Sequence, residues 1–87
     1  MEQMGSIRLD GIRFTAYSMD HAPRHVHAFY AEIEVIVDLR PDGKVSLAGR
    51  TDAIRPGNAS KSDVRHVLMA AAGHFEELVT LWEKHHG

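Results

Sequence analysis

The sequence predicts an α+β fold in which a small antiparallel β-sheet is covered on one face by a long C-terminal α-helix. Apolar and polar residues alternate through the first half, and a period of three and four residues replaces this alternation from Ser60. The 87 residues, of which 44% are hydrophobic and 25% charged, suit one globular core. We predict one domain over residues 1–87, with the sheet in about 6–50, a connection in 51–59 and the helix in about 60–85.

Two β-hairpins and a short strand account for the predicted sheet. Strands near 6–10 and 12–18 flank Asp10-Gly11, a pair that suits a two-residue turn because both positions need a positive φ. A second hairpin is predicted over 33–47, where Pro41 to Gly43 mark a tight reversal. The segment from Arg24 to Phe29 between them predicts a short strand.

One amphipathic helix is predicted from Ser60 onwards. Ser60 and Asp63 resemble a capping box, in which the serine oxygen accepts a backbone N–H. Gly73 lies inside the run and indicates a kink or a close approach to the sheet, and Trp82 is predicted to anchor the helix on the sheet. The apolar stripe contains Val64, Val67, Leu68, Ala71, Phe75, Leu78, Val79 and Trp82.

Composition limits the protein class. Cysteine is absent, which excludes disulfides and thiolate metal sites, and no run approaches the roughly 18 apolar residues of a membrane span. We therefore expect a cytoplasmic protein without membrane contact. The net charge is −2 with the seven histidines neutral, and it depends on pH because histidine titrates near neutrality.

The segment Asp20 to His27 is the strongest functional signal, because it holds three imidazoles around Pro23. If Val26 faces the core, His25 and His27 project together from the opposite face of their strand. Such a pair can bind zinc or another divalent metal, with Asp20 and Glu34 as further candidate ligands. A second interpretation is metal-free RNA cleavage, in which an acid and a base are supplied by His21, His25 and His27. A third is purely structural, with these histidines bonding to backbone carbonyls.

Arginines provide a second, weaker signal. Across the Asp10-Gly11 turn, Arg8 lies opposite Arg13, and two facing cations call for a neighbouring carboxylate or a bound phosphate. Together with Arg24, they are the candidate phosphate or nucleic-acid contacts. The stretch 40–65 carries six cations against three aspartates, which favours an acidic partner or nucleic acid if these charges are unpaired.

The chain resembles domain-of-unknown-function family 4160, a small bacterial family. The resemblance rests on Asp10-Gly11 with Arg13-Phe14, Tyr17 to His21, Pro23 to His27, Leu47 to Gly49, and Glu76 to Leu78 with Trp82. It departs from the family pattern in Arg24, where a second proline is common, and in a longer connection from Arg50 to Ala59.

The resemblance implies a compact cytoplasmic protein encoded beside another small protein in pairs that look like toxin–antitoxin modules, and it supplies no established catalytic residue. We therefore expect a toxin–antitoxin-like protein that binds a small protein partner or forms a homodimer. A histidine-dependent ribonuclease or divalent-metal enzyme is the first alternative, and a nucleic-acid-binding regulator is the second.

Overall fold

A computed structural model of the chain describes residues 4–86, so Met1 to Gln3 and Gly87 of the predicted domain lie outside the described residues. The antiparallel sheet has the strand order β1-β2-β3-β4-β5, and β6 also pairs with β4. Two helices follow the sheet. The elements are β1 (Met4–Leu9), β2 (Ile12–Tyr17), β3 (His25–Tyr30), β4 (Ile33–Leu39), β5 (Val45–Leu47), β6 (Ile54–Arg55), α1 (Lys61–Gly73) and α2 (Phe75–His86).

The predicted α+β class is confirmed, and so is the first hairpin. Asp10 and Gly11 have φ values of 54° and 77°, and Leu9 pairs with Ile12 across the turn. These angles match a two-residue turn whose twist suits the flanking strands. The turn therefore sets a register in which Arg8 and Arg13 are direct partners, as the sequence predicts.

The second predicted hairpin over 33–47 is present as β4 with β5, but the description of the sheet as two hairpins and a short strand is not exact. Strand β3 runs for six residues and pairs with β4 along its whole length, from His25–Asp38 to Tyr30–Ile33. A tight turn at Ala31, whose φ is 52°, joins them, so β1 to β5 form one continuous meander. The alternation identified β3 but did not reveal that it lies at the centre of the sheet.

The predicted connection 51–59 also contains structure, because β5 and β6 are two pieces of one interrupted edge strand. Val37 of β4 pairs with Leu47, and Val35 pairs with Ile54. Between them, the single residue Ile36 bonds to Ala48 through its carbonyl and to Ala53 through its N–H, at 3.0 and 2.8 Å. The chain thus leaves the edge at residue 48, makes an excursion, and returns at residue 53.

The single long helix of the prediction is replaced by two helices that meet at His74. Its φ of −120° and ψ of 29° are not helical, and its N–H bonds to the carbonyls of Ala70 and Ala71. The His74 carbonyl then accepts the N–H of Leu78 in α2 at 3.1 Å. A kink was anticipated at Gly73, but the period of apolar residues continues through the break and conceals it. The cap at Ser60 is confirmed, since its oxygen accepts the N–H of Asp63 at 3.0 Å.

The main core lies between one face of the sheet and the two helices. Alternate residues of the strands supply the sheet side, with Phe14 and Val26 fully buried, and Val67, Leu78 and Trp82 supply part of the helix side. Gly5 of β1 admits the ring of His85, with which a Cβ at that position would collide. No helix in the described chain is long and apolar enough to cross a membrane.

The opposite face of the sheet is not simply left to solvent, as a one-sided sheet would be. The excursion packs Ala48 and Ala53 against Ile36 to form a second, smaller apolar cluster. Thr15 of β2 is fully buried and bonds to the Ser6 hydroxyl at 2.8 Å. This second face carries the polar residues of β3 and β4, and it is where the histidine segment lies.

Candidate metal centre

His25 and His27 share one face of β3, as the alternation predicts, and their ring centroids are 5.4 Å apart. His25 is 7% exposed, and the His27 side chain is 12% exposed. The chain then places Asp20 beside both rings, from the turn that follows β2. Its Oδ2 lies 3.1 Å from Nε2 of His25 and 3.0 Å from Nε2 of His27. Two imidazole nitrogens therefore face one carboxylate oxygen.

Each imidazole is oriented through its other nitrogen. Nδ1 of His25 lies 2.8 Å from the carbonyl oxygen of Pro23, which only accepts, so Nδ1 is the donor. Nδ1 of His27 lies 2.9 Å from Oε2 of Glu34, also an acceptor when ionised. Arg55 holds the other Glu34 oxygen with an N–H donated over 2.9 Å. Both rings thus turn Nε2 toward Asp20, as metal-ligating histidines do when a second acceptor fixes them.

The Nε2 atom of His25 is buried and has no hydrogen-bond partner among the described residues, although Asp20 is close. The Nε2–Oδ2 contact is short enough for a hydrogen bond, but the two groups are not aligned to form one. Burying an unsatisfied polar atom costs about 1–3 kcal/mol. A metal ion bound by both the His25 nitrogen and the Asp20 carboxylate would satisfy this buried atom.

Aromatic rings support the two histidines from either side. The Tyr17 ring meets the His27 ring edge-on with centroids 4.8 Å apart, and the Trp82 ring lies 5.2 Å from that of His25. Trp82 belongs to the buried core and to α2, so the centre touches the helical layer as well as the sheet. These contacts restrict both imidazoles to one orientation.

A cavity of about 510 Å³ opens beside Asp20 and His25. The 18–24 loop forms one wall, and the excursion of the edge strand forms another through Ala48, Gly49 and Arg50. Arg50 forms a bidentate hydrogen bond with Asp52, in which Nε donates to Oδ1 at 2.6 Å and Nη2 donates to Oδ2 at 2.8 Å. This hydrogen bond, assisted by the charges of Asp52, Asp20 and Glu34, raises the pKa of Arg50. The cavity therefore has carboxylate and imidazole groups at one end and a cation at its wall.

The predicted site residues fall into different places. Asp20, His25 and His27 come together, with candidate ligand atoms within 4.8 Å of one another. Glu34, also predicted as a ligand, instead orients His27. His21 is exposed and lines the cavity without joining the cluster. No local sequence pattern indicates the roles of Arg50 and Arg55, because both depend on the interrupted edge strand.

The candidate phosphate arginines do not form a common site. Arg13 is exposed and lies over the Phe29 ring at 4.7 Å, and Arg8 is its cross-strand partner. Arg24 binds the carbonyls of Leu39 and Arg40 and approaches Glu83 of α2 at 4.0 Å. Glu34, a carboxylate on a neighbouring strand that could have neutralised Arg8 and Arg13, pairs with Arg55 instead. Arg24 therefore acts as a link between β3, β4 and α2.

Comparison with known proteins decides the family. The model of the family described as "Domain of unknown function (DUF4160)" matches residues 11–83 of the chain. The chain belongs to the DUF4160 family. Searches of curated proteins and of solved structures give no match. The DUF4160 match includes all three residues of the candidate metal centre, together with Glu34, Arg50 and Arg55.

Proposed function

We propose that this DUF4160 protein binds a divalent transition metal, zinc in the first instance, through Asp20, His25 and His27, and uses it for hydrolysis in the adjoining cavity. One observation carries the proposal. The buried Nε2 of His25, which makes no hydrogen bond within the described residues, lies 3.1 Å from the carboxylate oxygen that also meets Nε2 of His27. Two nitrogens and one oxygen with fixed orientation form a suitable ligand set for zinc.

The spacing of these atoms supports a metal of this size. Ligand atoms bound to a tetrahedral zinc ion at about 2.0–2.1 Å are about 3.3 Å apart. The two observed Nε2–Oδ2 distances, 3.1 and 3.0 Å, would need to open by only a few tenths of an ångström, and the separation of the two imidazole ligand atoms, which is at most 4.8 Å, would have to come to the same value. Three protein ligands leave a coordination position for water, which is the arrangement of catalytic rather than structural zinc sites.

A bound zinc ion would supply a water molecule acidic enough to act as a hydroxide nucleophile near neutral pH. The chain's own residues account for the other requirements of hydrolysis. Arg50 lines the cavity, where an anionic substrate group, such as a phosphate ester, would compete with Asp52 for its guanidinium. His21, at the same cavity, is exposed and can give a proton to a leaving group.

The experiment is metal analysis of untagged protein, followed by titration with Zn²⁺ and an assay on RNA and a phosphodiester. We expect one metal equivalent, lost in His25→Ala, His27→Ala and Asp20→Asn. His66→Ala is the matched control, since His66 is an exposed residue of α1. Cleavage that survives chelation but is abolished by His27→Ala would favour metal-free acid–base catalysis. Lower melting temperatures without any lost activity would favour a structural role.

A second proposal comes from family resemblance: the protein is cytoplasmic and acts with a small protein partner in a toxin–antitoxin-like module. The feature that favours a partner is the exposure of large apolar side chains, namely Met4, Met19, Leu47 and Met69. The test is growth after expression of the wild type and of His25→Ala/His27→Ala, with and without the neighbouring gene. Toxicity relieved by the neighbour's product supports the module, and growth unaffected by either protein counts against it.

A further inference from the structure

A groove on the helical side of the molecule is separate from the metal centre. It has a volume of about 430 Å³ and runs between the interrupted edge strand and α1. None of Asp20, His25 and His27 lines it, so it does not depend on the proposed metal chemistry. Its apolar lining consists of Leu47, Ile54, Ala59, Val64 and Leu68.

Two cations lie in the wall of this groove. Lys61 and Arg65 are four residues apart on α1, so their side chains occupy the same helix face. Neither forms an ion pair within the described residues. Three other cations of the stretch 40–65 are neutralised, in the pairs Arg40–Asp42, Arg50–Asp52 and Arg55–Glu34. The unpaired positive charge of this stretch is thus concentrated at the groove and at Lys44.

The edge strand beside the groove is open. In the described part of the chain, β5 is the last strand on its side of the sheet, and β4 is its neighbour on the other side. Leu47 at its end is 38% exposed. An apolar surface next to an open edge is a common place for a second chain to bind.

We propose that this groove docks an amphipathic segment of a partner protein that carries both apolar and acidic residues. Its apolar side chains would pack on the aliphatic floor, and its carboxylates would pair with Lys61 and Arg65. Charge complementarity selects this occupant over a neutral or basic peptide. Nucleic acid fits less well, because the lining holds no aromatic ring on which a base could stack.

The test uses a synthetic helical peptide with leucines on one face and glutamates on its flanks, and a twin peptide with lysines in place of the glutamates. Isotope-labelled full-length protein reports the binding position by NMR. We expect shifts at Leu47, Val64 and Leu68 with the acidic peptide alone. Lys61→Glu/Arg65→Glu should weaken binding by about tenfold or more, since two attractions become repulsions. Lys44→Glu, a basic residue outside the groove, is the matched control.

Several outcomes would overturn the proposal. Equal affinity for the two peptides, shifts outside the groove, or no binding of the acidic peptide at its highest soluble concentration would each do so. Groove shifts that depend on protein concentration, together with a dimer mass in light scattering, would assign the groove to a second copy of the chain. Displacement of the peptide by oligouridylate would assign it to RNA.

Discussion

At the scale of single residues, the centre depends on acceptors that lie behind its ligands. Glu34 does not face Asp20. It holds His27 through Nδ1 and is itself held by Arg55, so a chain of contacts runs from Asp20 through His27 and Glu34 to Arg55. Each member fixes the geometry of the next. Removing an outer member should therefore loosen the centre without removing a ligand.

The first prediction is that Glu34→Gln lowers Zn²⁺ affinity by about 10- to 100-fold, because the amide no longer supplies a charged acceptor to His27. Isothermal titration of Zn²⁺ measures the effect. Glu32→Gln is the matched control, since Glu32 is exposed in the turn between β3 and β4. Equal affinities of the two variants would mean that Glu34 does not orient the ligand.

Sequence reasoning reached part of this residue-level picture. Strand alternation was sufficient to place His25 and His27 on one face, because it follows from the geometry of a single strand. Asp20 and Glu34 were named only as candidate ligands, without a signal that separates their roles. The contact between Arg55 and Glu34 spans 21 residues and needs the pairing of β6 with β4. No local pattern encodes that pairing, so Arg55 was not anticipated.

At the scale of elements, His74 connects three parts of the chain. Its Nδ1 lies 2.7 Å from Glu77 of α2, and its Nε2 lies 3.1 Å from Asp10 in the first hairpin turn. Its backbone ends α1 and begins α2. The imidazole of His74 donates hydrogen bonds to the carboxylates of Glu77 and Asp10. These bonds, the one to Glu77 most of all, raise the pKa of His74 above its ordinary value of 6.5. The break between the helices is thus coupled to protonation.

The second prediction concerns this coupling. A raised pKa means that the folded state binds the proton more tightly, so the stabilisation is fully present below the ordinary value of 6.5 and is lost as pH rises through the raised value. We expect the wild type to lose more thermal stability than His74→Gln over this range above pH 6.5. Melting curves at several pH values measure it, and NMR titration of the His74 ring gives its pKa.

The control for His74 is His66→Gln. His66 belongs to the same helical layer but is exposed, and its ring meets the Tyr30 ring at a tilt, with centroids 4.7 Å apart. Comparison with this variant shows whether the loss of stability belongs to His74 or follows from removing any imidazole of this layer. Asp10→Asn should lower the His74 pKa part of the way. If the His74 ring titrates at its ordinary value, the interpretation of these two contacts is wrong.

The break itself shows why the helix prediction was only partly right. The apolar stripe continues from Val67 through Leu78 to Trp82, so hydrophobic periodicity detects one helix. The interruption lies at His74, whose side chain bonds to a turn 64 residues away. Gly73 was the visible signal, and it marks the end of α1 rather than a bend within one helix.

At the scale of the whole molecule, the helical layer and the candidate centre share a contact. Trp82 is 7% exposed within the main core, and its ring also touches that of His25. Arg24 adds a second link from the sheet to α2 through Glu83, although this pair is exposed and contributes little. Packing of α2 should therefore influence the position of a ligand residue.

The third prediction is that Trp82→Ala costs about 3–5 kcal/mol in the free energy of unfolding, a large fraction for a domain of this size. Urea titration measures it, with Thr80→Ala on the exposed side of α2 as control. Trp82→Phe should keep most of the stability yet alter the environment of His25, seen in its ring NMR signals. A loss below about 1 kcal/mol in Trp82→Ala would contradict the packing.

The position of β3 in the middle of the sheet has a consequence for kinetics. His27 cannot move far without breaking pairings with both neighbouring strands, and His25 is held by its pairing with Asp38 of β4, whereas Asp20 lies in the loop after β2. Of the three candidate ligand residues, Asp20 alone lies outside the strands. Entry and release of an ion would then follow the motion of that loop, so the rate of metal exchange would be set there while selectivity is set by the rigid strand.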